Sequence, residues 1–306
     1  MQAGKPLHVF GTGKGNISLT LAGGVYHATM VEEDWVWTLP AQPYGGPTDV
    51  EFDLNGRRVV LKNVVFGDVF LCAGQSNMRF AVKEEIGSSP VQDDDKIRHY
   101  ESLPNESGEW QLCQAGRVDE WSALGLHIAQ NYRKTRDVYV GIVVCAKGAS
   151  VIRSWMPQRA LTQDVFVPIE LRHEDYFAYP DWNDDSFLYK QRFCPIAPIS
   201  AKGAVWYQGE SDTSPMQSKV YTALLQRLIG TWREDLMQPE LPFVVVEICD
   251  FDECDNEAWH AVQRCQQEVG RTTPYVQVVA SKDVCEHDKI HPANKELLAQ
   301  RIAATL

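Results

Sequence analysis

The sequence predicts an α/β protein in which a parallel sheet is covered by helices on both faces and preceded by a small antiparallel β segment. Three observations predict it. From residue 67 onward, short apolar runs alternate with amphipathic stretches of helical period. Those apolar runs are nearly continuous, as strands buried on both faces are. Residues 7–66, in contrast, carry strand and hairpin signals and no amphipathic helix. A chain of 306 residues holds one large domain with a small one beside it, and the expected division is 1–66 and 67–306.

In the β segment, Ile17, Leu19 and Leu21 alternate with Ser18 and Thr20. Glu51-Phe52-Asp53-Leu54 runs into Asn55-Gly56 and then Arg57-Arg58-Val59-Val60-Leu61, which reads as a hairpin. Pro40, Pro43, Gly45, Gly46 and Pro47 punctuate the middle. Trp35 and Trp37 read as core aromatics in preference to a sugar-stacking platform, because large aromatics dominate small cores.

In the main segment, strands are expected at 69–72, 139–145, 203–207, 243–249 and 275–280. Helical spacing joins Trp121, Leu124, Ile128 and Tyr132; then Val220, Leu224, Leu228 and Trp232; then Trp259, Val262 and Val269. A last helix follows Pro292, with Leu297, Leu298 and Ile302 on one side. Residues 83–118 and 156–198 show neither pattern and read as long loops, which are usually functional or mobile. The second loop contains His173-Glu174-Asp175-Tyr176-Phe177-Ala178-Tyr179-Pro180-Asp181-Trp182 and has two readings: a pocket wall that sets substrate choice, or surface decoration.

Bulk properties narrow the function. The net charge is −12, which argues against general nucleic-acid binding, since that needs a surplus of Lys and Arg. No apolar stretch approaches membrane-spanning length. The cysteines (Cys72, Cys113, Cys145, Cys194, Cys249, Cys254, Cys265 and Cys285) form no C-x-x-C pair, so zinc and redox motifs are not expected. Scattered thiols in apolar strands suit a reducing compartment, and Met1 to Pro6 lacks a signal-peptide run, so the expected location is the cytoplasm.

The chemistry is expected just past the strand ends, where a parallel sheet gathers its ligands. Residues 69–72 run into Ala73-Gly74-Gln75-Ser76-Asn77-Met78. Ser76 has two readings there: a helix cap, or a nucleophile. Lys147-Gly148-Ala149-Ser150 follows the second strand, and Gln208-Gly209-Glu210-Ser211-Asp212 the third. Near the C-terminus stands Asp288-Lys289-Ile290-His291-Pro292. His291 can take the proton of Ser76 and return it to a leaving alcohol. Asp288 can hold the imidazole in the right tautomer. The amides of Ser76 and Gly148 and the side chain of Gln208 can stabilise a tetrahedral oxyanion. His287 is a possible rival base but lacks an acid placed as Asp288 is for His291.

Gly74-Gln75-Ser76-Asn77-Met78, Trp206-Tyr207-Gln208-Gly209-Glu210-Ser211-Asp212 and Asp288-Lys289-Ile290-His291-Pro292-Ala293-Asn294-Lys295 together resemble the sialate O-acetylesterase family of SGNH hydrolases, which includes related carbohydrate acetylesterases. The likeness spans nearly the whole chain in the family's order. It implies a flavodoxin-like α/β/α sandwich of three layers and a Ser-His-Asp esterase with no cofactor and no metal. It implies Ser76 as nucleophile, His291 as base, Asp288 as orienting acid, and Gly148 and Gln208 at the oxyanion hole. Gln75, Asn77, Arg79, Arg153 and Glu210 are the expected substrate-binding residues.

The chain departs from the family's pattern in having Gly148-Ala149 in place of paired glycines, and Arg153 and Arg79 where acidic or aromatic residues are common. Arg79, Lys147 and Arg153 have two readings: positive charge on the pocket rim, which suits an O-acetylated sialic acid or sialoglycan, or solvated surface charges and intramolecular ion pairs. The alternative is an esterase for neutral polysaccharides such as acetylated xylan. From other classes come a non-catalytic carbohydrate-binding protein and a metal-dependent deacetylase. The sequence leaves the sugar, the acetyl position and the oligomeric state open.

Overall fold

A computed structural model describes residues 1–104, 108–254 and 256–306. The N-terminal part is built from hairpins. β1 (Leu7–Thr12) pairs antiparallel with β4 (Asp34–Leu39). β2 (Gly15–Leu21), β3 (Gly24–Met30), β5 (Gly45–Leu54) and β6 (Arg57–Phe66) form a four-stranded sheet in the order β3-β2-β5-β6. The Asn55-Gly56 hairpin is there, with positive φ at both residues (52° and 85°), the geometry that matches strand twist. Leu7, Leu19, Leu21, Leu39, Val50 and Phe66 form the core of this part, and Trp37 packs against it.

The main sheet has seven strands: β7 (Asp68–Gly74), β8 (Asp94–Glu101), β9 (Gln111–Cys113), β10 (Val140–Ala146), β11 (Gly203–Tyr207), β12 (Phe243–Val246) and β13 (Val276–Val279). Their order is β13-β12-β11-β7-β10-β8-β9, and all pairings are parallel except that of edge strand β9. Between the strands come α1 (Ser76–Arg79), α2 (Ala123–Arg133), α3 (Asp175–Ala178), α4 (Pro180–Asn183), α5 (Gln217–Asp235) and α6 (Glu257–Thr272), and α7 (Glu296–Thr305) follows the last strand.

Side-chain alternation separates the helices into two layers. Phe70 of β7 meets Tyr132 of α2 edge-on at 4.9 Å, and α2 packs beside α7. On the opposite face Trp206 of β11, in register with Ala73, meets Trp232 of α5 at 5.6 Å. Val278, on that same face, packs against Gly270 of α6. The result is the expected three-layer sandwich. Each fully buried large apolar side chain contributes about 1.5–3 kcal/mol.

Two expectations need correction. Residues 83–118 contain β8 and β9. In β8 only Ile97 and His99 are buried, and charged residues fill most other positions, so the apolar signature is missing. In α7, Leu298, Ala299, Ile302 and Ala303 face the core, whereas Leu297 is exposed. The β segment is stapled to the sheet through Gln2, whose Oε1 accepts from Val69 N at 2.8 Å and whose Nε2 donates to Asp68 at 3.1 Å. Asp68 also accepts from Tyr44 and Tyr132, both at 2.8 Å, which satisfies a carboxylate buried at the start of β7. No helix among the described residues is long and apolar enough to cross a membrane.

Candidate active site

The chain's path across the sheet reverses at β7, so the loops at that strand's carboxyl end part and leave a crevice. Gly74 ends β7 with φ +141°, and a Cβ there would lie 2.0 Å from the carbonyl oxygen of Tyr207. No side chain fits where β7 and β11 run this close. Gln75 then donates its N–H to Tyr207 O at 3.0 Å, and its Oε1 accepts from Gly209 N and Ser211 N at 3.3 and 3.4 Å. Ser76 follows as the first residue of α1. Gln75 holds the cap position, so the reading of Ser76 as a helix cap fails. The Ser76 hydroxyl has no hydrogen-bond partner among the described residues.

Two further segments meet Ser76. Lys147 N donates to Gly74 O at 3.0 Å, which brings the turn after β10 alongside. A Cβ placed on Gly148 would sit 3.6 Å from the Ser76 Cβ. The loop carrying His291 is tied down from α1 and the segment after it. Asn77 Nδ2 donates to Ile290 O at 2.9 Å, Ile86 N to Ala293 O at 3.0 Å, and Lys295 N to Glu85 Oε1 at 3.0 Å. Ser76, Gly148 and His291 together line a pocket of about 470 Å³. Burial, then the positive charge of Lys295, holds the His291 imidazole below its ordinary 6.5, with Glu84 pulling the other way. A neutral ring is what a base needs at pH 7.

The loop between β10 and β11 supplies a wall. His173, Asp175, Tyr179 and Trp182 line the pocket. Tyr179 stacks on Trp182 at 5.0 Å, and Lys147 Nζ lies 4.0 Å from the centre of the Trp182 ring. Burial lowers the basicity of His173, but Asp175, whose Oδ2 lies 3.4 Å from Nδ1, together with the charges of Asp212 and Glu174 outweighs that and raises it overall. Glu210 also lines the pocket, and burial pushes its carboxyl up. Its Oε1 accepts from Asn77 Nδ2 at 2.7 Å, while Oε2 is buried without a partner.

Several expected site residues stand elsewhere. Gln208 is fully buried, and its Nε2 donates to Ser150 O at 2.9 Å and Asp212 Oδ2 at 2.7 Å, so both amide protons are used and none reaches the pocket. Asn77 is 1% exposed and holds the loop beneath the pocket instead of facing substrate. Arg153 is buried in a forked ion pair with Asp185 and donates to Val165 O at 3.0 Å. Arg79 pairs with Glu101 at 2.8 Å and lines a groove beside Ser76 and His291 that also contains Glu84. Asp288 is exposed and makes no hydrogen bond to His291. The His287 ring meets Lys282 O at 2.8 Å, outside the pocket.

Sequence reasoning missed His173 and Trp259, which line the pocket, and Lys295, whose charge acts on His291. The His173-x-Asp175 spacing was the available signal for the first; Trp259 reads as a core position of α6. Among the described residues no group of three or more His, Cys, Asp or Glu is placed to hold a metal ion.

The family described as carbohydrate esterase, sialic acid-specific acetylesterase, matches residues 66–305. The sialate O-acetylesterases of Homo sapiens and Mus musculus are 23% and 24% identical over 98% and 96% of this chain. The chain spans 66% and 68% of those relatives' lengths. A carbohydrate acetylesterase structure from Xanthomonas citri covers 100% of this chain and 71% of its own, with a TM-score of 0.87 at 24% identity. That likeness establishes a shared fold.

Proposed function

The chain belongs to the sialic acid-specific acetylesterase family of carbohydrate esterases, and from that premise we propose that it is a serine esterase releasing acetate from O-acetylated carbohydrates. The observation that carries the reading is Ser76: an unpartnered hydroxyl at a strand end, in one pocket with His291 and Gly148.

Ser76 Oγ attacks the acetyl carbonyl while His291 takes its proton. The tetrahedral oxyanion is received by the Ser76 and Gly148 amides, which no other described group engages. Each such donor is worth about 3–4 kcal/mol of barrier. The bond from the acetyl carbon to the sugar oxygen breaks, and His291 gives its proton to that oxygen. Water, deprotonated by His291, then attacks the acetyl carbon of the acetyl-Ser76 ester; the bond from that carbon to Ser76 Oγ breaks, His291 returns its proton to Oγ, and acetic acid leaves, giving acetate and a proton to solvent. Asp288, exposed and without a bond to His291 in this structure, is the carboxylate we propose to close onto the ring when substrate is bound, orienting it and stabilising its protonated form.

The substrate class we favour is O-acetylated sialic acid. Lys147 supplies positive charge at the pocket, and the Trp182 and Tyr179 rings offer a face for the sugar. Glu174, Asp175 and Glu210 line the same pocket and favour a second reading, a neutral acetylated polysaccharide. Acetate release from acetylated sialosides and xylo-oligosaccharides, by wild type and Ser76→Ala, tests both. Release that needs Ser76 and prefers sialosides supports the first reading. Release that prefers xylo-oligosaccharides supports the second, and no release from either contradicts the esterase.

A further inference from the structure

Lys295 is fully buried, which is rare for an ammonium group and costly unless it is partnered. Its Nζ donates to Asn77 Oδ1 at 2.8 Å and lies 4.7 Å from the centre of the Phe80 ring. The partner it holds is the residue after the nucleophile. Asn77 in turn donates to Glu210 Oε1 at 2.7 Å and to Ile290 O at 2.9 Å. Phe80 ends α1 and also faces His291, with ring centroids 6.2 Å apart. One buried cation therefore touches, at first or second hand, the nucleophile's helix, the base's loop and the pocket-lining carboxyl.

We propose that Lys295 is a positioning residue for the esterase reaction: through Asn77 it clamps the turn carrying Ser76 to the loop carrying His291, and it sets a buried charge against the Phe80 ring that faces the base. The proposal rests on the esterase reading above. The electrostatics agree with it. Burial brings the Lys295 ammonium down to about 8, while Cys285, Glu210, Glu85 and Glu286 favour its charged form. Around His291, burial and the Lys295 charge favour the neutral ring, and Glu84 opposes them. A cation near a histidine disfavours a second positive charge, so removing it makes the imidazole more basic.

Two variants separate the clamp from the charge. The amide of Lys295→Gln can still donate to Asn77 Oδ1 but carries no charge, whereas Lys295→Met lacks both functions. Hydrolysis of 4-nitrophenyl acetate is measured across pH, and the His291 ring is titrated by NMR in the same proteins. For Lys295→Gln, the acid limb of kcat/KM and the His291 midpoint both move up by about half a pH unit or more. For Lys295→Met, kcat falls at least about tenfold further while KM stays within about threefold, as expected when a transition-state geometry is lost. A folded Lys295→Gln protein whose acid limb and His291 midpoint match wild type overturns the charge assignment. A folded Lys295→Met protein with wild-type kcat overturns the clamp. If Lys295→Met does not fold, Lys295→Gln decides. If wild type itself is inert, the esterase reading has failed, and the titration still tests the charge assignment.

Discussion

Asn77 Nδ2 lies 2.9 Å from the carbonyl oxygen of Ile290, so the residue after Ser76 holds the residue before His291. The same amide group bonds Glu210 and Lys295. Asn77→Ala removes all three bonds and leaves the buried Lys295 ammonium without its hydrogen-bond acceptor. Breaking a buried charged contact of this kind costs about 3–5 kcal/mol. The expected result is a clear fall in Tm together with loss of esterase activity. A variant with wild-type Tm would mean that the network contributes little to the fold.

Two glycines near Ser76 are expected to respond differently to alanine. At Gly74 the added Cβ meets the Tyr207 oxygen at 2.0 Å and φ is +141°, so β7 and β11 must separate. Gly74→Ala should destabilise the protein by more than about 3 kcal/mol, read by urea unfolding. At Gly148 the Cβ makes an ordinary contact with Ser76 at 3.6 Å. Gly148→Ala should fold with stability within about 1 kcal/mol of wild type, but lose activity because the methyl group enters the space above the nucleophile. Equal stability losses at both positions would contradict this placement.

Charge at the pocket should follow Lys147 and not Arg153. Arg153→Ala leaves Asp185 with only its longer ion pair to Arg172, at 3.5 Å, and should lower stability by about 1.5–3 kcal/mol, with no change in the preference between anionic and neutral acetyl esters. Lys147→Ala should leave Tm nearly unchanged and reduce the preference for an acetylated sialoside by about tenfold, the weight of one charge-assisted contact. Comparing kcat/KM on the two substrate types measures both effects. A switch in preference caused by Arg153→Ala alone would contradict the assignment.

The acid limb of kcat/KM should lie below pH 6.5, the ordinary histidine value. The sign follows from the base's role. Protonated His291 cannot accept the Ser76 proton, so activity falls as pH drops through a lowered midpoint and is flat above it. Asp288 and Glu84 are the two carboxylates in question for the same ring. Asp288→Asn should reduce kcat by about 10²- to 10⁴-fold, as the loss of an orienting acid does. Glu84→Gln should change kcat by less than about fivefold. The reverse pattern would assign the orienting role to Glu84.

Much of this site was legible because catalytic groups in a parallel sheet stand just after apolar strands. Ser76 and Gly148 follow β7 and β10, and Gly74 marks the close approach of two strands. Direction and pairing were not legible. A buried amide such as Gln208 points where Asp212, four residues on, and Tyr221, in the next helix, draw it, and a sequence does not show which way an amide turns. Arg153 looked like a rim cation because nothing local announces Asp185, 32 residues further on. Strand β8 was hidden by its charges: near the sheet edge, two buried side chains suffice. The pocket wall at His173 and Trp182 belongs to a segment of short helical turns, where no periodic pattern exists to be read.

The most direct test of the account is to trap the covalent intermediate. Wild type is mixed with an O-acetylated sialoside, quenched in acid within the turnover time, digested and analysed by peptide mass spectrometry, with Ser76→Ala in parallel. The account predicts an acetyl group on the peptide containing Ser76, acetate release by wild type only, and neither in the variant. Acetate release by Ser76→Ala at the wild-type rate would contradict it.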